Sequence, residues 1–458
     1  MLIEFTVGNY LSFKDKATFS MVAADIVSKN ADLDEHNIFQ VDDELTLLKS
    51  AAVYGANASG KSNLVKAIRF LKDFIINSSR ETQITDDINV DNFRLSEETD
   101  DRPSFFEIVF LLDSIQYRYG FEVDREKVVS EWLFYVPEKT EVNLFFRKGE
   151  QFDCADEFQE GNGIAEKTRK NALLLSVSAQ FNGIISSKIL LWMESGLVIV
   201  SGLEDKMLYT IANAYFKDSK ERGRLVDLIK KFDIGIDDIQ ILEENLVSTP
   251  SELSGHKNSD EKELLGGQVK IKVIDLNLVR SFMFARIGEQ PVIPVAFRKK
   301  YDSEKKLTSL EVFNLEREES EGTKKLFALI APLLAILEES GVLVIDEFDA
   351  RLHPLITRSL VQLFNSNETN PNNAQLIFMT HDTNLLSHKL LRRDQIWFTE
   401  KDRFGATDLY SLVEFNLEND TNYESDYIRG KYGAIPFIGD LKSLFGDRKN
   451  TNSEPQDD

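Results

Sequence analysis

The stretch "GANASGKS", Gly55 to Ser62, constrains this chain more than any other. It satisfies G-x-x-x-x-G-K-[ST] and stands between "LLKSAAVYG", which reads as a strand, and "SNLVKAIRFLKDFI", whose apolar spacing reads as a helix. A glycine-rich turn in that setting aims successive backbone N–H groups, from about Ala58 to Ser62, at an anion, and the helix N-terminus behind it adds a favourable dipole. Gly55 and Gly60 permit the tight path, Lys61 is placed to reach the β and γ phosphates of a nucleoside triphosphate, and the Ser62 hydroxyl is placed to ligate Mg²⁺. The expected nucleotide-binding set is therefore Gly55, Asn57, Ala58, Ser59, Gly60, Lys61, Ser62 and Asn63. A glycine turn that matches by accident would not need the strand before it and the helix after it.

Two later segments end apolar runs in polar residues, as buried parallel strands do at the carboxyl edge of a sheet. "VLVIDEFD" delivers Asp346, expected to hold Mg²⁺ through water, and Glu347, expected to polarise an attacking water. "QLIFMTHD" delivers His381, whose imidazole can hydrogen-bond a γ-phosphate or that water. The interval between Glu347 and His381 suits one helix and a return strand. Gln180, in "LLLSVSAQFN", reads either as a bridge between Mg²⁺ and the water or as an ordinary polar residue ending a strand. His353 and His388 lack comparable placement and read as solvent-facing or packing residues.

The segment "EREESEGTKKL" sets Ser320 and Gly322 in a turn ahead of an apolar helix from about Thr323. Glu311, Glu316, Glu318, Glu319 and Glu321 crowd its approach. Alone, it reads as a helix N-cap with acids favourable to the dipole.

Elsewhere, "LIEFTVGNYLSF" reads as a strand, a turn at Gly8-Asn9 and a second strand, and Phe105 to Val136 as an antiparallel meander. Residues 184–242 read as mainly helical, "STPSELSGHKNSDEKELLGGQ" as a mobile loop, "VKIKVIDL" as a strand and "GDRKNTNSEPQDD" as a disordered tail. No repeat or sustained heptad is present. Lys plus Arg number 54 against 77 for Asp plus Glu, a net charge of −23, which is the wrong sign for a chain whose main task is coating a nucleic-acid backbone. One cysteine, Cys154, precludes an internal disulfide, and no apolar window approaches the ~20 residues of a membrane span. The expected location is cytoplasmic, with no membrane partner.

The order of these motifs resembles an ABC-type P-loop ATPase head of the SMC-like and OLD-like branch. "ESEGTKKL", "VIDEFDARLHP", "AQLIFMTHDTNLL", "LRRDQIWFTEKD" and "YIRGKYGAIP" resemble, more narrowly, the bacterial stand-alone AAA-type ATPases of abortive-infection and phage-defence loci. The resemblance implies an α/β fold: an ABC-type head with a mixed sheet, an antiparallel β-subdomain and a mainly helical insertion. Its expected limits are 1–183 for the N-terminal part of the head, 184–268 for the insertion, 269–400 for the C-terminal part, 401–445 for an extension and 446–458 for the tail. It also implies an ATPase using ATP and Mg²⁺, an ATP-dependent head-to-head dimer or higher oligomer in which Ser320 and Gly322 contact the nucleotide of the opposite subunit, and a separately encoded nuclease as effector. Glu319 and Glu321 depart from the usual signature, and acids near a triphosphate are unfavourable unless they pair with a cation such as Lys324 or Lys325. A DNA repair or recombination ATPase, a non-hydrolysing scaffold and a transporter subunit are the competing readings, and DNA stays open as a partner that the charge does not indicate.

Overall fold

The computed structural model describes residues 1–81, 83–201, 205–217, 219–232, 234–243, 292–417, 422–436 and 439. The chain opens with β1 (Leu2–Gly8), which buries Leu2, Phe5 and Val7. The expected second strand does not follow at once. Asn9 and Leu11 take left-handed φ values of 47° and 49°, Tyr10 bridges to Phe13, and the antiparallel partner of β1 is β2 (Ala17–Ser20). Asn9 is held by a distant loop, its amide donating to Thr99 O at 3.1 Å and Arg102 O at 2.7 Å, which bends the chain there.

After α1 (Ala31–His36), β3 (Ile38–Gln40) and β4 (Thr46–Leu48) comes β5 (Ser50–Tyr54), buried at every residue, and then α2 (Lys61–Asn77). The meander is longer than its sequence signal: β6 (Ser104–Leu112), β7 (Ile115–Val123), β8 (Val128–Val136), β9 (Val142–Lys148) and β10 (Gln151–Cys154). With β1 and β2 it forms one antiparallel sheet ordered β10-β9-β8-β7-β6-β1-β2.

Helices α3 (Leu174–Gln180) and α4 (Ile184–Leu191) follow, then a π-helical turn, Trp192–Gly196, and β11 (Leu197–Ser201). Two expectations change here. The "LLLSVSAQ" run is helix and not strand, and the supposedly helical insertion contains β11, which pairs in parallel with the strand carrying Asp346. Next come α5 (Asp205–Lys217), α6 (Ser219–Lys231), β12 (Asp238–Glu243), β13 (Val292–Tyr301) and β14 (Leu307–Asn314), the three strands forming a small antiparallel sheet. The segments read as a mobile loop, as the strand "VKIKVIDL" and as the disordered tail lie outside the described residues.

The chain closes through α7 (Leu315–Glu318), α8 (Glu321–Glu339), β15 (Val342–Asp346), α9 (Pro354–Phe364), β16 (Gln375–Met379), β17 (Ile396–Lys401), β18 (Thr407–Ser411) and α10 (Tyr423–Ile428). The central sheet runs β11-β15-β16-β5-β17-β18, parallel except for β18 at its edge.

Strand alternation decides what each face meets. Ala51, Val53, Val344, Ile377 and Met379 pack on α2, whose other flank meets Phe106 and Phe121 of the antiparallel sheet. Ala52, Tyr54, Leu343, Ile345 and Phe378 face the opposite way, into α8, α9 and α10. The α/β class with a mixed sheet and an antiparallel subdomain is the observed architecture. Among the described residues no single helix is long and apolar enough to cross a membrane.

Candidate nucleotide site

The glycine loop joins β5 to α2 at the carboxyl edge of the central sheet. Ala58 and Gly60 have φ values of 63° and 123°. A side chain on Gly60 would drive into Thr407, and one on Gly55 would sit 2.5 Å from Ser59 Oγ, Thr399 O and Thr399 Oγ1. Both glycines are therefore required by close approach as well as by backbone path.

The loop is braced from β17 and β18. Ser59 Oγ lies 2.6 Å from Thr399 Oγ1, while Thr407 Oγ1 lies 2.8 Å from Ser59 O and 2.7 Å from Ser12 Oγ. Asn63 donates to the same Ser12 Oγ at 2.7 Å. Lys61 Nζ donates to Gly55 O at 2.7 Å and Ala56 O at 3.1 Å. Burial pushes its ammonium down to about 8, against the pull of Asp346, Asp349 and Glu347.

These residues open onto a cavity of about 470 Å³ lined by residues 57–63 with Asp346, Glu347, Met379, His381 and Lys401. Asp346 ends β15, and its Oδ1 is buried with no hydrogen-bond partner. Buried carboxylate oxygens are normally paired, so this atom marks where a cation fits, and Ser62 lines the same cavity. The pair suits Mg²⁺. Glu347 has a left-handed φ of 51°, which turns it off the strand path, and Phe348 N closes the turn by donating to Met379 O at 3.0 Å. His381 follows β16, where its backbone N–H donates to Asp349 Oδ1 at 3.2 Å, and Thr380 Oγ1 donates to the same oxygen at 2.6 Å. Burial, then the Lys61 charge, holds the His381 imidazole below its ordinary range.

Gln180 does not join them. It ends α3, is exposed, and its amide lies 3.4 Å from Ser79 O. Ser320 and Gly322 do not line the cavity either. Ser320 caps α8, its Oγ accepting from Thr323 N at 3.2 Å. Gly322 is obligatory because a side chain there would meet Arg351 O at 2.8 Å. Both unexplained acids are paired: Glu321 with Lys324 at 2.8 Å, as expected, and with Arg351 at 3.0 Å; Glu319 with Arg298 at 2.6 Å. His353 caps α9 by accepting from Leu355 N, and His388 packs edge-on against Tyr423.

Sequence reasoning missed Asp349, Met379, Lys401 and Arg298. Lys401 had a readable signal, because "QIWFTEK" is another apolar strand ending in charge. It also borders an adjoining cavity of about 280 Å³, shared with Asn63 and formed by Leu11, Ser12 and residues 91–95.

Fold and site together define a P-loop ATPase domain. More narrowly, residues 50–387 match the family described as "AAA domain, putative AbiEii toxin, Type IV TA system", and the chain belongs to that family. Among solved structures it is similar to the SMC head domain from Thermotoga maritima, at 13% identity and a TM-score of 0.38 over 90% of this chain and 98% of that one. It is also similar to an SmcHead bound to the C-winged helix domain of ScpA, at 14% identity and a TM-score of 0.39 over 91% and 98%. No curated protein matches the chain.

Proposed function

We propose that the chain binds and hydrolyses ATP, pairs head to head with a second copy around two nucleotides, and uses that cycle to control a separately encoded nuclease in antiphage defence. One observation carries the ATPase reading. Residues 57–63, Asp346, Glu347 and His381 are distant in sequence yet open onto one cavity. In this reading the loop amides and Lys61 hold the triphosphate, with Ser62 and Asp346 holding Mg²⁺. Mg²⁺ held by these residues would supply charge neutralisation to the triphosphate. Glu347 takes the proton of the attacking water and the His381 imidazole orients it, while Asp349 fixes the backbone from which that imidazole projects.

Dimerisation is supported by what the cavity lacks: Ser320 and Gly322 cap a helix elsewhere on the chain, so a second copy would have to supply them. The nuclease and the defence role are supported by the resemblance of the C-terminal motifs.

Replacing Glu347 with Gln should keep nucleotide binding, cut turnover by roughly 10²-fold or more and accumulate an ATP-bound dimer. Light scattering with and without ATP reads the mass, and an unchanged mass in both states removes the dimer from this mechanism. Duplex DNA that binds in a salt-sensitive way and stimulates turnover would move the reading to a repair or recombination ATPase.

A further inference from the structure

Glu319 is 8% exposed and directly precedes the helix cap Ser320. A carboxylate there draws on the same helix N-terminal field that an incoming phosphate would use, and repels that phosphate. Arg298 on β13 answers both problems. Its Nε donates to Glu319 Oε1 at 2.9 Å and its Nη2 to Oε2 at 2.6 Å, so both carboxylate oxygens are engaged. Its Nη1 donates to Ile234 O at 3.0 Å and Gly235 O at 3.2 Å, which ties the turn to the connection between α6 and β12. Lysine cannot reproduce that fork. Glu321, on the other side of Ser320, is in a different position: its side chain is 58% exposed, where water screens it.

We propose that Arg298 is the positioning residue of the Ser320–Gly322 turn: by neutralising and fixing Glu319 it allows the turn to receive the γ-phosphate of a nucleotide held by a second copy of this chain. The inference rests on the head-to-head reading above. Arg298 lies on the small sheet and does not line the nucleotide cavity, so its effect is on pairing and turnover and not on nucleotide capture by one copy.

The test compares Arg298→Ala, Arg298→Lys and Arg298→Ala/Glu319→Gln with the parent. Fluorescent ATP-analogue binding is measured on dilute monomer, turnover in the parent background, and ATP-dependent mass in a Glu347→Gln background. Arg298→Ala should bind the analogue within about twofold of the parent but lose turnover and ATP-dependent dimer by about tenfold. Arg298→Lys should fall between them. Removing the stranded charge in the double variant should restore at least roughly half of the dimer. Where Arg298→Ala loses its cooperative melt, Arg298→Lys carries the comparison with about a fivefold loss expected.

The inference is overturned if Arg298→Ala pairs and turns over like the parent, if analogue binding falls in parallel, or if the double variant is no better than the single. If Glu347→Gln alone fails to gain mass with ATP, the head-to-head reading fails first and this inference goes with it. If it gains mass and Arg298→Ala gains it equally, only the role of Arg298 is lost.

Discussion

Lys72 lies under the turn that leads from α4 to β11, 6% exposed, and donates to Leu197 O at 2.6 Å and Glu194 O at 3.1 Å. Burial lowers its ammonium to about 8. Below pH 8 both folded and unfolded chains carry the charge, and the folded chain bears the full desolvation cost. Between pH 8 and the ordinary lysine range the folded chain releases its proton first, so stability rises with pH, by roughly 3 kcal/mol across the window. Lys49 and Lys61 are lowered by the same cause and act in the same direction, so the Lys72 share must be isolated by substitution. Urea unfolding at pH 7.5 and pH 10 should show Lys72→Met gaining less on alkalisation than the parent. An equal gain in both would mean that Lys72 keeps its ordinary affinity for protons.

At the scale of elements, α3 shows why part of the architecture escapes sequence reasoning. "LLLSVSAQ" is apolar without a clear period, and such a run suits helix and strand alike. The deciding partner is Glu131 on β8, fully buried, which accepts from Leu174 N at 2.7 Å and Leu175 N at 3.0 Å and so caps the helix from another sheet. Tyr119 donates to the same carboxylate at 2.9 Å, and Arg147 lies 3.5 Å away. Replacing Glu131 with Ala strands the Arg147 guanidinium and should cost about 3–5 kcal/mol in chemical unfolding; a loss below about 1 kcal/mol would contradict the cap.

The strand β11, "LVIVS", is short and apolar without alternation, a pattern that suits buried strand and buried helix alike, and it follows helical residues directly. The glycine loop and the β15 and β16 strand ends were legible because their residue types are dictated by local backbone and charge. The braces Ser12, Thr399 and Thr407, the clamp Arg298 and Asp349, which ties down the backbone after β16, were not. Each works through a partner far away in sequence, and no local pattern announces it.

For the whole molecule, a net charge of −23 means that a polyanionic ligand gains nothing from the general field and must be held by local donors. ATP with Mg²⁺ at about 100 times its dissociation constant should therefore stabilise the chain by about 2.7 kcal/mol, seen as a raised Tm. Lys61→Ala should abolish that increment while leaving the ligand-free Tm near the parent value, and a retained increment would place the nucleotide elsewhere.

The position of β5 has a consequence for how the protein is made. Its neighbours in the sheet are β16 and β17, and the braces on its loop come from Thr399 and Thr407. On a ribosome, the glycine loop thus leaves the exit tunnel on the order of tens of seconds before the strands that shape it. A partly synthesised chain carries the whole motif and Ser12 but neither strand that flanks β5, so the loop takes its final shape only when synthesis of the domain is nearly complete.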